Sequence, residues 1–276
     1  MFDKFSRSWE LVKASASVLR SDKELMLFPV ISGLATMLVA ATFLLPAFAL
    51  NVFADGFGLG AAALAFLFYF VQYSVIIFFN CALVGAAMIR LEGGDPTLAD
   101  GFRIARGRLP AILGYAAIAA TVGVLLQGLK QKDSFLVRLM GSALGAAWTL
   151  ATFLVVPVLV SRDIGPIDAL KQSVSLLKRT WGENAVGQVG IGAAVTVLSI
   201  ALLVVGLGLT TLAGQVSVAL GVAVLVAFVL VLLLLGVYQA ALSGIYSAAL
   251  YRYAVSHETP DAFRGTDLAR AFLPKD

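Results

Sequence analysis

One cysteine and one histidine in 276 residues leave no material for a disulfide framework or a Cys/His metal cluster. Cys81 lies inside an apolar stretch, where a small packing residue is the ordinary role. His257 stands beside Glu258 near the end of the chain, without the further partners that a triad or metal site needs. Charge is scarce too, at 13% of residues, about half the share in a typical soluble domain. Its placement says more than its amount. All 20 Lys and Arg and all 16 Asp and Glu fall outside six stretches: 25–50, 59–89, 111–129, 139–160, 185–210 and 216–250. An ionisable residue within a span usually marks a proton relay, an ion site or a voltage sensor, so this absence counts against such designs.

What fills those stretches is apolar. Sixty per cent of the chain is hydrophobic and the mean hydropathy is +0.95. A spanning helix needs about 20 apolar residues, and each stretch is long enough to be a candidate. Transmembrane strands would alternate, whereas Val222–Leu235 is apolar on every side. The expected fold class is therefore all-α: a polytopic transmembrane helix bundle with six spans, a single integral membrane domain over 1–276. The first 24 residues are polar and amphipathic and do not read as a removable signal peptide.

Lys and Arg divide unevenly among the connections. Five lie before the first span, four around 90–110, four around 161–184 and four in the tail; the other side has only Lys130, Lys132 and Arg138. By the positive-inside rule the rich side faces the cytoplasm. The expected location is the cytoplasmic (inner) membrane, with both termini inside. The pI near 9.3 follows from that asymmetry. Acidic residues are interleaved with the basic ones, so no nucleic-acid partner is expected.

The cytoplasmic connections resemble one another, which predicts a repeat. Gly94-Asp95-Pro96, Gly165-Pro166 and Thr259-Pro260-Asp261 each follow a span and open a short amphipathic stretch. Pro suits the first helical turn, and Asp or Thr before it can cap. Ile167, Leu170, Val174, Leu177 and Trp181 keep helical spacing, as do Leu98, Phe102, Ala105 and Leu109, and Phe5, Trp9, Val12, Ala16 and Leu19. Basic amphipathic helices bounded by spans are expected in the headgroup plane, at about 4–24, 97–109, 167–181 and 261–272. The unit of one interfacial helix plus two spans then occurs three times in tandem.

The opening Phe5-Ser6-Arg7-Ser8-Trp9-Glu10-Leu11-Val12-Lys13, with Val18–Leu25 and Leu27-Phe28-Pro29-Val30-Ile31-Ser32-Gly33, resembles a family of uncharacterised prokaryotic six-span integral membrane proteins. The resemblance is specific over the first 33 residues and extends through the rest as topology and loop pattern. More remotely, the Gly-x-Pro-led helix between paired spans is similar to membrane domains attached to glycerophosphodiester phosphodiesterases. The catalytic barrel of those enzymes has no counterpart among these residues, so the resemblance implies a topology and no activity.

Neutral polar residues inside the spans are the remaining candidates for a site. Asn80, Gln239, Gln72 and Gln188 are the candidate intramembrane polar site; Asn80 and Gln239 lie deep in long apolar runs, where an unpaired amide is costly. The ordinary alternative for all four is interhelical hydrogen bonding. Small residues at Gly141 and Gly145, and at Ala240, Gly244 and Ala248, are expected to pack within the bundle. Pro29, Pro46 and Pro157 are expected where helices begin or end. Phe28, Tyr115, Tyr246, Tyr251 and Tyr253, with Trp9 and Trp181, are expected in interfacial belts. Trp148 falls near mid-span and either fills the interior or faces lipid.

No catalytic residue, cofactor site or metal ligand set is expected. The interfacial acids Asp95, Asp100, Asp163 and Asp168 suit helix caps and first turns. Three functions remain in order: a non-enzymatic scaffold, assembly or lipid-interacting component; a channel or transporter for a neutral or lipophilic solute; and an intramembrane enzyme. The expected partners are membrane lipids of anionic character, with a second copy or another membrane protein as the alternative. Lys171, Lys178, Arg179, Arg103 and Arg106 are the candidate headgroup contacts.

Overall fold

In lipid every backbone N–H and C=O must be paired within its own segment, so charge-free apolar runs become helices. The computed structural model describes residues 2–49, 58–130, 134–180, 185–256 and Phe263, and shows an all-α bundle. The helices are α1 (Phe2–Ser21), α2 (Leu27–Ala49), α3 (Leu59–Leu91), α4 (Leu98–Gly107), α5 (Leu109–Lys130), α6 (Phe135–Thr152), α7 (Val155–Ser161), α8 (Pro166–Thr180), α9 (Ala185–Val216) and α10 (Val218–Ser256). A 3-10 turn, Lys23–Met26, joins α1 to α2. Among the described residues, five segments are long and apolar enough to cross a membrane: Lys23–Ala49, Leu59–Leu91, Leu109–Leu129, Leu136–Ser161 and Val218–Ser256. α9 supplies the remaining charge-free helix, of 32 residues. The order of elements, a short amphipathic helix followed by two long apolar segments, occurs three times, beginning at α1, α4 and α8. The fourth predicted interfacial helix, 261–272, lies outside the described residues apart from Phe263.

The core sits at one end of the bundle, around the C-terminal half of α3. Every residue from Cys81 to Ala87 is buried. α2, α4, α5, α7 and α10 all pack on α3. Small side chains make that crowding feasible. A Cβ at Gly244 of α10 would meet Leu83 at 2.5 Å, and one at Gly85 of α3 would meet Ile104 of α4 at 2.9 Å. Ala241, Ile245, Ala248 and Ala249 of α10 are fully buried in the same cluster. The small residues at 244 and 248 thus pack inside the bundle, as expected, while Ala240 is exposed. Farther along, α2, α6, α9 and the first half of α10 present Leu, Val and Phe side chains outward, the surface a bilayer would cover.

The amphipathic helices, expected in the headgroup plane, turn apolar side chains to the protein. Leu11, Ala14, Val18 and Leu19 of α1, Ala105 of α4 and Ala169, Leu176 and Leu177 of α8 are buried in the protein core. Much of each described apolar face is covered by the bundle, Ile167 at the start of α8 excepted, while Lys13, Arg20, Arg106, Lys171 and Lys178 turn outward. α4 is the clearest case. Phe102 sits among Phe28, Phe79 and Phe78, with ring centroids 5.6, 5.9 and 6.2 Å away. A Cβ at Gly101 would come 2.7 Å from the Ala82 carbonyl oxygen and closer still to the Phe28 ring. Phe28, Tyr115, Tyr246 and Tyr251 are correspondingly core residues, between 1% and 8% exposed, rather than interfacial belts. Phe28 seats α4 through Phe102, and Tyr246 packs on Phe153. The side chains of Trp9 and Trp181 lie outside the described residues. Trp148 is half-buried and packs against the core.

Gly101→Ala should destabilise the protein by about 1–3 kcal/mol, since an added methyl must push α4 off α3. Gly33→Ala, where a Cβ meets nothing within 4 Å, should not. Thermal unfolding of both variants in one detergent decides the matter; equal midpoints would refute close seating of α4.

Candidate functional site

The fourth span is not continuous. A proline has no N–H to donate and its ring collides with the carbonyl four residues back, which for Pro157 is Phe153. The helix accordingly stops at Thr152 and restarts at Val155. Pro157 stands in the first turn of α7, at a helix entry as expected, and that entry lies inside the fourth apolar segment with two residues between α6 and α7. Phe153 N–H turns back to the Leu150 carbonyl at 3.2 Å, taking the acceptor that Leu154 would have used. Ser173 of α8 repairs the gap. The Leu154 N–H donates to Ser173 Oγ (3.2 Å), and that hydroxyl donates to the Ala151 carbonyl (2.7 Å). Ser173 and Leu154 are fully buried, so these hydrogen bonds replace a helical rung where no water reaches. On the bundle side of the break, Thr152 lies beside the Tyr115 hydroxyl of α5. Phe153 packs on Tyr246 of α10, with ring centroids 6.1 Å apart.

Of the predicted intramembrane residues, Asn80 and Gln239 are half-buried on α3 and α10. Those helices pack on each other, but among the described residues no hydrogen bond joins the two amides. The Gln72 Oε1 is buried without a hydrogen-bond partner. The Gln188 side chain lies outside the described residues. The hydroxyls of Ser173 and Tyr115, which were not among the predicted four, each meet the chain at the break before Pro157. A signal for Ser173 exists in the sequence: it interrupts the apolar stripe of α8 between Ala169 and Leu176, downstream of a proline inside an apolar run.

At the end where the core sits, arginines hold the helix junctions. α3 finishes in a Schellman turn, with Gly93 at φ +87° and N–H bonds from Gly93 to the Arg90 carbonyl and from Gly94 to the Ile89 carbonyl, both 3.0 Å. Arg90 reaches over this turn to the Gly94 carbonyl (3.2 Å) and to Asp95 (3.5 Å). Arg252, near the end of α10, lies 3.5 Å from Glu92, at the end of α3. Arg108 pairs with Asp163, and Arg162 donates to the Gln172 side-chain oxygen once that amide is turned toward it. α4 is capped by Thr97 in a capping box with Asp100, while Glu24 accepts from the Leu98 N–H at 3.2 Å. Asp100 and Asp168 thus take the expected first-turn positions. Asp95 and Asp163 do not cap; they face arginines. Pro166 opens α8 as predicted, whereas Pro96 precedes the α4 cap. Burial pushes the Asp22 carboxyl above the ordinary aspartate range, against the opposing pull of the Glu24 N–H and the Arg90 charge.

Among the predicted headgroup contacts, Arg103 pairs with Asp100 and Lys171 with Asp168 (3.3 Å), yet the two cations are 75% and 74% exposed. Arg106 and Lys178 are exposed as well. The Arg179 side chain lies outside the described residues.

Fold and site together define a multi-pass α-helical membrane protein. The chain belongs to a family of unknown function, DUF6159, which matches residues 59–261. The match begins after the Phe5–Gly33 segment that carries the specific resemblance, and covers the region where the resemblance is one of topology. No curated protein matches the chain.

Ser173→Ala should cost about 1–3 kcal/mol, because it strands the Leu154 N–H and the Ala151 carbonyl in the core. Hydrogen exchange at the Leu154 amide should accelerate; unchanged exchange would exclude the repair.

Proposed function

We propose that the protein is a non-enzymatic component of the cytoplasmic membrane, with both termini inside, that presents a basic surface to anionic lipid headgroups. The observation that carries this reading is the arrangement of α1, α4 and α8. Buried side chains of each helix, Leu11 and Val18, Ala105, and Ala169 and Leu177, face the bundle, and exposed cations, among them Arg20, Arg106, Lys171 and Lys178, meet the surroundings. Cations at an anionic surface contribute about 1 kcal/mol each. The interfacial acids are engaged at helix first turns or with arginines, which supports a non-enzymatic reading. Replacing Arg106, Lys171 and Lys178 together by Gln should lower the anionic lipid that copurifies, measured by mass spectrometry; unaltered retention would sink the proposal. A Lys178→Cys variant in a Cys81→Ser background should react with an impermeant maleimide in inverted vesicles alone, and labelling of intact cells would reverse the orientation.

A second reading is a path for a neutral or lipophilic solute. The internal break between α6 and α7 favours it, because interrupted helices at membrane depth commonly line substrate sites. Thr152, Tyr115 and the unpaired Gln72 oxygen would supply its polar groups. Uptake of small neutral solutes by proteoliposomes should then fall in Ser173→Ala, Asn80→Leu and Gln239→Leu; uptake equal to wild type, or none above empty liposomes, rejects the path.

A further inference from the structure

Between the α4–α5 junction and the α7–α8 loop lies a cleft of about 400 Å³, lined by Arg108, Pro110, Ala111, Asp163, Ile164 and Pro166 among others. That volume lies in the range of small-ligand sites. Its depth follows from sequence: the charge-free run of α5 begins at Ala111 and that of α7 ends at Val160. The cleft therefore opens at the level of the headgroups. We propose that it binds a phosphate group, that of an anionic lipid headgroup, with Arg108 as the ligand-binding cation and Asp163 as its displaceable counter-ion. This deepens the basic-surface reading and rests on it.

The two members of the pair differ sharply. The Arg108 side chain is 24% exposed and is held at the C-terminal cap of α4, while that of Asp163 is 97% exposed. Among the described residues Asp163 has no other partner, so it can swing into solvent with little loss. A guanidinium presents a planar fork that a phosphate can engage with two oxygens. Pro110, Ala111, Ile164 and Pro166 give the cleft an apolar side beside the polar Arg108 and Asp163, an arrangement that suits a phosphate ester carrying an apolar chain. The walls are fixed, because α5 and α8 touch there: a Cβ at Gly114 would meet the Pro166 ring at 2.8 Å.

The test measures binding of dioctanoyl-phosphatidylglycerol, dioctanoyl-phosphatidylcholine and inorganic phosphate to the full-length protein in a neutral detergent. Saturable binding of the phosphatidylglycerol, weak binding of the phosphatidylcholine and competition by inorganic phosphate are expected. Inorganic phosphate binding as tightly as the lipid would keep the phosphate site and assign it to the free anion. Arg108→Gln should weaken binding about tenfold or more, the loss of charge-assisted hydrogen bonds, whereas Asp163→Asn should tighten it by removing the competitor. Opposite signs are the signature. If the pair were only a structural clasp, the two substitutions would act alike, and a common direction or no effect overturns the proposal. Should Arg108→Gln fail to fold, Asp163→Asn decides alone, since it keeps the cation; weaker binding refutes the site. The Arg106, Lys171 and Lys178 Gln variant separates the two readings: losing bulk lipid retention while keeping saturable binding places the site in the cleft. Saturable binding lost there but kept in Arg108→Gln refutes the cleft and leaves the surface reading standing.

Discussion

The structure depends on how closely other helices can approach one stretch of α3. Cys81-Ala82-Leu83-Val84-Gly85-Ala86-Ala87 is buried on all sides, and five helices pack on α3. Between helices in lipid there is little hydrophobic driving force, so close van der Waals contact and hydrogen bonding must hold them together. Side chains no larger than Leu allow that contact around the whole circumference. Gly85, Gly101 and Gly244 then extend the same logic to the neighbours, each placing backbone where a Cβ would collide. One crowded segment thus fixes the positions of α4 and α10, and through them the junctions where the arginines sit.

Those arginines take on a second role beyond topology. Lys and Arg near the ends of spans bias insertion regardless of partner, and the census of loops uses them only in that sense. Folded, Arg90 closes a Schellman turn, Arg252 ties the end of α10 to that of α3, and Arg108 bridges two loops. None of these assignments can be read from a charge count, because each partner is chosen by which helix ends meet in space.

The sequence makes plain whatever depends on composition and period: helices, span boundaries, the tandem order of elements, and the amphipathic stretches at 97–109 and 167–181. It does not disclose what covers an apolar stripe. Leu176 and Leu177 would look the same against lipid or against protein, and only the bundle's shape assigns them to the core. Tyr246 and Tyr251 illustrate the same ambiguity, since an aromatic near a span end suits a belt and a core equally well. Asn80 and Gln239 attract attention because amides are conspicuous in apolar runs, whereas Ser173 is inconspicuous in an amphipathic helix. The demand it answers, an unpaired N–H at Leu154, arises only once Pro157 has broken the span.

The unequal lengths of the spans set a condition on the bilayer itself. The charge-free run of α5, 111–129, is about 29 Å long at 1.5 Å per residue, close to the 30 Å thickness of a hydrocarbon core. That of α10, 218–250, is about 50 Å by the same rise, and lying wholly within the slab would require a tilt of roughly 53°, beyond the ordinary range. α3 and α10 share a core with α5, so one rigid body asks for two thicknesses at once. α10 meets that mismatch within the protein: Ile245 to Tyr251 are buried, so its last turns lie against neighbouring helices and its exposed first half alone needs a bilayer.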